Sequence, residues 1–393
     1  MFTTLRKHLR KIGTAAQRTM NEFPRVTHLT TVHRPFDTRI FQKECRSLAD
    51  AGYPVSLVAR HTKRETVNGV EIIPLPRYSN RFVRILAAPL SAFRLAHRTE
   101  AEIYHFHDPE LLLVGVLLKW TTRAKVIYDV HENHSKKMRS REWMHPALRL
   151  PASFGVKIAE RLTVPLFDAL VCTTEHIAAL FPFSRRRIVV KNYPPLRVTF
   201  PSGASQYAPD NHRVIYTGGW TDHRGIYQII QALEYVQSPH VRLTLLGPLI
   251  DPHVQENAKL LPGYAKVDYH GTVPFSDVLT HLSASAVGLV CNQPEHDYDK
   301  AQPNKLFEYM AAGLPVVASN FPSWREIVEG HQCGLTVDPA QPREIAQAID
   351  TLLQNPRLRA EMGRNGRDAA IQDYNWDSES EKLIDLYKEI LEV

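Results

Sequence analysis

Short β-rich runs alternate with helical patterns along almost the whole chain, and a proline-rich break divides the alternation into two rounds. Strand–helix repetition of this kind yields parallel sheets covered by helices, and it constrains the fold more than any other feature. In the first round, strands are predicted at 25–31, 55–59, 70–74, 102–106, 125–129 and 168–172, and helices at 41–51, 82–98, 109–120 and 148–162. The stretch Asn192–His212 holds four prolines and little periodicity, so it reads as a linker. The second round predicts strands at 214–217, 242–246, 267–270, 286–290, 315–318 and 334–337. Its helices are predicted at 225–235, 276–283, 304–312 and 343–353, and an amphipathic helix follows at 377–391.

The expected organisation is a basic segment 1–22, a Rossmann-like acceptor domain 23–195, a linker 196–212, a Rossmann-like donor domain 213–375, and a C-terminal helix 376–393 that can cross back to the first domain. Open parallel sheets bind ligands at the carboxyl ends of their strands. Two of them joined by a linker are expected to face a central cleft that holds two substrates and excludes water.

The chain has 393 residues, too many for one ordinary core. No apolar run reaches the roughly 18 residues of a membrane span, and no export signal is recognisable at the start. The four cysteines, Cys45, Cys172, Cys291 and Cys333, show neither zinc-site nor disulfide spacing. A cytoplasmic location is therefore expected. The net charge of +7 hides a division: residues 1–195 carry 32 basic and 16 acidic residues (+16), and the remainder 16 and 25 (−9). The basic half suits an anionic partner such as an anionic membrane surface or a phosphorylated acceptor. The segment 1–22 places Phe2, Leu5, Leu9 and Ile12 on one helical face with basic residues around it, and Lys136–Met144 reads as a basic, aromatic loop. Both suit peripheral attachment on the inner face of the plasma membrane, and a solvated basic tail remains the alternative. No nucleic-acid-binding module is recognisable.

The run Pro303–Ser319 (PNKLFEYMAAGLPVVAS) describes a phosphate site in physical terms. Pro303 suits the first turn of a helix. Asn304, Lys305 and Leu306 then occupy the helix start, where free backbone N–H groups and the dipole favour an anion, and Lys305 adds a full charge. Glu308 lies one turn later, where a carboxylate can accept bonds from vicinal ribose hydroxyls. In Tyr216–Gly225 (YTGGWTDHRG), a strand ends in Gly218 and Gly219, and Arg224 precedes a helix. Glycines allow close approach of a ligand, and Arg224 can make a bidentate contact with a diphosphate.

These two strings resemble the donor-binding signatures of glycosyltransferase family 4, whose members share the GT-B architecture. The resemblance implies a retaining glycosyltransferase with no bound metal and no cofactor. Its donor would be a nucleoside diphosphate sugar, UDP favoured over GDP, and its acceptor a glycan or lipid-linked glycan of cell-surface polysaccharide synthesis. It assigns donor binding to Gly218, Gly219, Arg224, Asn304, Lys305, Leu306 and Glu308, and catalysis to His107, Arg224 and Lys305. His107, from Tyr104–Leu111 (YHFHDPEL), matches a histidine that contacts the donor sugar, whereas alternation is expected to point His105 to the other face of the strand. The family's first glutamate, eight residues before Glu308, is Lys300 here. That leaves the sugar open, with Asp297 and Asp299 as substitutes. In Tyr128–Asn133 (YDVHEN), Asp129, His131 and Glu132 are candidates for the acceptor pocket. In His33–Arg39 (HRPFDTR), Asp37 can orient an acceptor hydroxyl and Arg39 can pair with an anionic acceptor, or the two form an N-cap and a surface ion pair. A metal set of His105, His107, His131 and His134 is the minority reading. Rivals to a transferase are a sugar-nucleotide epimerase and a non-catalytic sugar-nucleotide-binding partner of another transferase.

Overall fold

The computed structural model describes residues 23–78, 80–139, 144–195, 208, 210–295 and 299–392. The segment 1–22, most of the linker and Asp297 lie outside the described residues. The chain divides into two α/β units, Met1–Lys191 with Ser378–Val393, and Asn192–Asp377.

In the first unit β1 (Val26–Leu29) leads into a π-helical turn, Ile40–Cys45, and α1 (Arg46–Asp50). There follow β2 (Val55–Arg60), β3 (Glu65–Val67), β4 (Val70–Leu75), α2 (Arg81–His97), β5 (Ile103–Phe106), α3 (Leu112–Thr121) and β6 (Lys125–Val130). The unit continues with α4 (His134–Arg139), α5 (Pro146–Thr163), β7 (Ala169–Cys172), α6 (Glu175–Ala179) and β8 (Arg187–Val189). The eight described strands run in the order β3-β4-β2-β1-β5-β6-β7-β8, parallel except for β3 against β4. Strands β3 and β8 escape sequence reading because three residues carry no alternation. The basic stretch at 136 was expected as a loop, but its start is helical, in α4.

Side chains alternate across this sheet. Tyr104, Phe106, Val126, Tyr128, Leu170 and Cys172 join the hydrophobic core with residues from α2, α3 and α5. The opposite parity carries His28, His105 and Asp129, all buried. One face is thus oily and the other holds a buried polar cluster.

The second unit alternates strand and helix more regularly: β9 (Arg213–Thr217), α7 (Ile226–Tyr235), β10 (Arg242–Leu246), α8 (Pro252–Lys259), β11 (Val267–Gly271), α9 (Phe275–Ser283) and β12 (Val287–Val290). Next come α10 (Asn304–Ala311), β13 (Val316–Ser319), α11 (Pro322–Gly330), β14 (Gly334–Val337), α12 (Pro342–Gln354) and α13 (Pro356–Gln372). The sheet order is β11-β10-β9-β12-β13-β14, all parallel. Two cores flank it. Val214 and Tyr216 point into one and Ile215 into the other, as the pleat requires.

Helix α14 (Trp376–Leu391) ends the chain, and from Ser378 onward it belongs to the first unit. Leu383, Leu386, Tyr387 and Ile390 are buried at helical spacing. Replacing the fully buried Leu383 by Ala should cost about 2–5 kcal/mol in urea unfolding. An unchanged midpoint would remove α14 from the folded core.

Candidate functional site

In both units the first strand lies inside the sheet, β1 between β2 and β5 and β9 between β10 and β12. The connections leave such a strand in opposite directions, which opens a crevice at its carboxyl end. The sequence-selected residues fall at these two places.

In the second unit β9 ends at Thr217, whose N–H donates to the Tyr309 Oη at 2.8 Å and so ties the strand end to α10. Gly218 then turns with φ +131°, a value side-chain-bearing residues avoid. A Cβ there would stand 3.3 Å from the Lys305 Nζ and 3.5 Å from the Arg224 Nη1, so the two cations close on this glycine. Gly219 is buried beside the Ile250 side chain. Gly225 (φ +73°) passes so near the Cys291 carbonyl that a Cβ would meet it at 1.9 Å, and α7 starts directly after it.

Helix α10 begins at Asn304. Pro303 is its N-cap rather than its first helical residue, and it offers no side-chain cap to the first N–H groups. The preceding loop is held by the Trp324 Nε1–H, which donates to the Ala301 carbonyl at 2.7 Å. Lys305 is 9% exposed, its Nζ lies 3.6 Å from the Tyr216 ring centroid, and that Nζ has no hydrogen-bond acceptor. Burial, then the nearby Arg224 charge, pushes the Lys305 ammonium well below the usual lysine range. A buried lysine nitrogen with no acceptor, beside an uncapped helix start, has the chemistry to receive an anion. Glu308 stands one turn on and is half-buried. Leu306, selected with this group, is corrected: its side chain is wholly buried in the core, and only its backbone belongs to the helix start.

In the first unit the Asp108 carboxylate accepts from the Thr30 hydroxyl at 2.8 Å and the Thr31 N–H at 2.6 Å, which shapes the loop after β1. Asp37 accepts from the backbone N–H groups of Arg39 and Ile40 at 2.9 and 3.0 Å and from His33 at 3.2 Å. Burial opposes its ionisation, but the bonds from His33 and from these N–H groups prevail and hold the carboxyl well below the usual range. Asp37 therefore holds the backbone that opens the π-helical turn, whose N-cap residue is Arg39.

Arg39 and Asp129 are a correction to the expected acceptor pocket. Both are buried; Nε and Nη2 of Arg39 donate to Asp129, each at 3.1 Å, and Nη1 donates to the Val190 carbonyl at 3.0 Å. Nε also stands 2.9 Å from Glu44. Ion pairs this deep are spent on each other.

The same network takes in His107, which is 1% exposed. Its Nδ1 lies 3.2 Å from Asp129, its Nε2 lies 3.0 Å from the His28 Nδ1, and the His28 Nε2 lies 3.2 Å from the Tyr387 hydroxyl. Tyr387 lies 2.8 Å from the His105 Nδ1. With Asp129 ionised, one proton order satisfies the chain. His107 donates to Asp129, His28 to His107, Tyr387 to His28, and His105 to Tyr387. His107 thus has a protein partner within hydrogen-bonding distance of each ring nitrogen. His105 is a second correction. Residues two apart share a strand face, and its ring stacks on His107 with centroids 4.8 Å apart. Burial lowers the histidine pKa values of His28, His105 and His107.

His131 and His33 are the partly exposed imidazoles of this region, with ring centroids 5.3 Å apart, and the His131 Nε2 lies 3.0 Å from Asp129. Glu132 pairs with Lys137. Glu44, His105, His107 and Asp129 gather metal-ligating atoms within 4.8 Å of one another. Arg39 already supplies a cation to both carboxylates. His134 stands apart, stacked on Tyr128. Sequence reading missed His28, Glu44, Asp108 and Tyr387. A histidine inside the apolar run VTHL of β1 was the one local signal for any of them.

A glycine-lined strand end, two converging cations and an uncapped helix start thus lie together at the carboxyl end of β9, in an α/β chain of two Rossmann-like units. Comparison with known proteins agrees. Residues 38–226 match the family model "Glycosyl transferase 4-like domain" and residues 211–355 match "Glycosyl transferases group 1". The chain belongs to these family-4-type glycosyltransferases of GT-B fold. It is 26% identical over 186 residues to the uncharacterized glycosyltransferase MJ1607 of Methanocaldococcus jannaschii, a match covering 47% of this chain and 46% of that protein, so the alignment spans about half of either length. Sucrose-phosphate synthase from Thermosynechococcus elongatus superposes with a TM-score of 0.75 at 19% identity, over 94% of this chain and 99% of that one. Anabaena HepE in complex with UDP-glucose gives a TM-score of 0.69 at 14% identity, over 93% and 100%.

Replacing Asp129 by Asn leaves Arg39 with a weakened partner in a dry site, and should destabilise the protein by about 3–5 kcal/mol. Arg39 holds the Asp129 carboxyl well below its ordinary range against the opposing effect of burial. Its contribution is therefore present above the unfolded-state pKa and is lost as pH falls through the folded one. Urea unfolding as a function of pH should show this acid loss in the wild type and less of it in Asp129→Asn. Parallel curves would show that the pair does not matter to stability.

Proposed function

We propose that the protein is a retaining glycosyltransferase that moves a sugar from a nucleoside diphosphate sugar, UDP-linked in preference to GDP-linked, to a glycan or lipid-linked acceptor in cell-surface polysaccharide synthesis. The observation that carries the reading is the convergence of Lys305 and Arg224 on Gly218 beside the open start of α10. A diphosphate at Gly218 would accept from both cations and from the helix start. To Glu308, one turn along, we assign the ribose hydroxyls. The preference for UDP rests on the fold shared with HepE, which was crystallised with UDP-glucose.

In the proposed reaction the glycosidic bond to the diphosphate breaks as the sugar gains oxocarbenium character. Arg224, Lys305 and the N–H groups at Asn304 and Lys305 stabilise charge on the departing diphosphate; charge-assisted bonds of this kind are worth roughly 1.5–3 kcal/mol each. A donor phosphate oxygen takes the proton of the incoming hydroxyl on the same face, so the configuration is kept without a protein nucleophile. His107 acts as a positioning residue, since it orients Asp129 and through it His131.

Calorimetry with UDP and GDP tests the donor assignment. Lys305→Ala and Glu308→Ala should each weaken UDP binding by about 10–100-fold, and unchanged affinity in both would remove the assignment. Proton linkage gives a second readout. Diphosphate binding raises the depressed Lys305 pKa, so protons are taken up at pH values between the free and bound pKa values. Titrations in buffers of different ionisation enthalpy should reveal this uptake in the wild type. In Lys305→Met it should vanish.

A further inference from the structure

Helices that cover a sheet normally turn polar residues outward. Three neighbouring helices of the first unit do the reverse. On α5, Leu150, Phe154, Ile158 and Leu162 recur every four residues and all face solvent, with Phe154 66% and Leu162 68% exposed. On α3, alternate residues such as Leu112, Val116 and Leu118 fill the core, yet Leu113 and Trp120 on the other side are 71% and 72% exposed. On α2, Leu86 and Leu90 continue the pattern, with Leu86 80% exposed. Helix α3 packs between α2 and α5, and all three lie on the oily face of the sheet, so their outward stripes adjoin. In the second unit, by contrast, Tyr235, Ile250, Leu260, Phe275 and Ile371 are exposed singly on separate elements. A contiguous apolar patch of this kind marks an interaction surface.

The charge around the patch identifies the occupant. The sequences of α2, α3 and α5 contain one acidic residue, Glu160, and it is buried where its carboxylate accepts from the Tyr128 hydroxyl at 3.3 Å. Arg94, Lys157 and Arg161 are exposed among the apolar stripes, and α4, packed on α5, adds Lys136 and Arg139, its Lys137 being paired with Glu132. A second copy docked on the same face would set these cations against themselves. Apolar stripes flanked by cations, on helices whose single acid is buried, fit the headgroup region of an anionic bilayer.

We infer that the α2–α3–α5 face of the first unit is a membrane-docking surface for anionic lipid. This rests on the reading of a lipid-linked acceptor and deepens it, because docking would hold the acceptor domain at the surface where such an acceptor resides. The test uses the full-length protein without donor or acceptor, and UDP affinity is measured in parallel, so loss of either reading shows separately. The wild type should co-sediment with vesicles of equimolar phosphatidylcholine and phosphatidylglycerol, and weakly with phosphatidylcholine alone. A variant with Leu86→Gln, Trp120→Gln, Phe154→Gln and Leu162→Gln should bind these vesicles about tenfold less while keeping its melting temperature and UDP affinity. Lys157→Glu with Arg161→Glu should abolish the preference for phosphatidylglycerol. Three results would overturn the inference: no vesicle binding by the wild type; undiminished binding by the glutamine variant, which would move attachment elsewhere, such as to residues 1–22; or a wild-type dimer in light scattering that the glutamine variant dissociates.

Discussion

Parallel pairing with the first strand kept inside the sheet is the constraint on which the rest of this protein depends. Every parallel neighbour requires a crossover, and crossovers that leave in opposite directions open the sheet at one end. Chemistry-bearing residues collect at those ends because only there does the backbone leave the ladder and expose its polar groups. Gly218 and Gly225 occupy one such end, and His107, Asp108 and His131 the other.

The two ends handle charge differently. In the second unit the Lys305 Nζ is buried against the face of Tyr216 with no hydrogen-bond acceptor. In the first unit charge is answered internally, with Arg39 shared by Asp129 and Glu44 and a file of imidazoles running from Asp129 to Tyr387. The former arrangement suits recognition of a multiply charged ligand. The latter suits rigidity, and it leaves His131 and His33 as the partly exposed edge of an otherwise sealed network.

Local features of the chain were legible and distant ones were not. The strands of four or more apolar residues, and the start of α10 at Asn304 with Lys305 and Glu308 on it, follow from patterns a few residues long. Leu306 sits in the same string, but its parity on the helix sends it into the core. The pairing of Arg39 with Asp129 spans 90 residues and that of His105 with Tyr387 spans 282, and no short-range signal announces either. His105 itself was recoverable, since a period of two places it beside His107. His107 reads locally as a strand-end histidine, and only the fold reveals the neighbours within reach of both its nitrogens.

The return of α14 to the first unit has a consequence for biosynthesis. Most of the first unit is made before the second, yet Tyr387, which completes the hydrogen bonds of His28 and His105, is made only after it. The second unit, contiguous in sequence, can close as soon as it clears the exit tunnel. The first must wait for α14, with His28 and His105 short of a hydrogen-bond partner, until the whole second unit has been made.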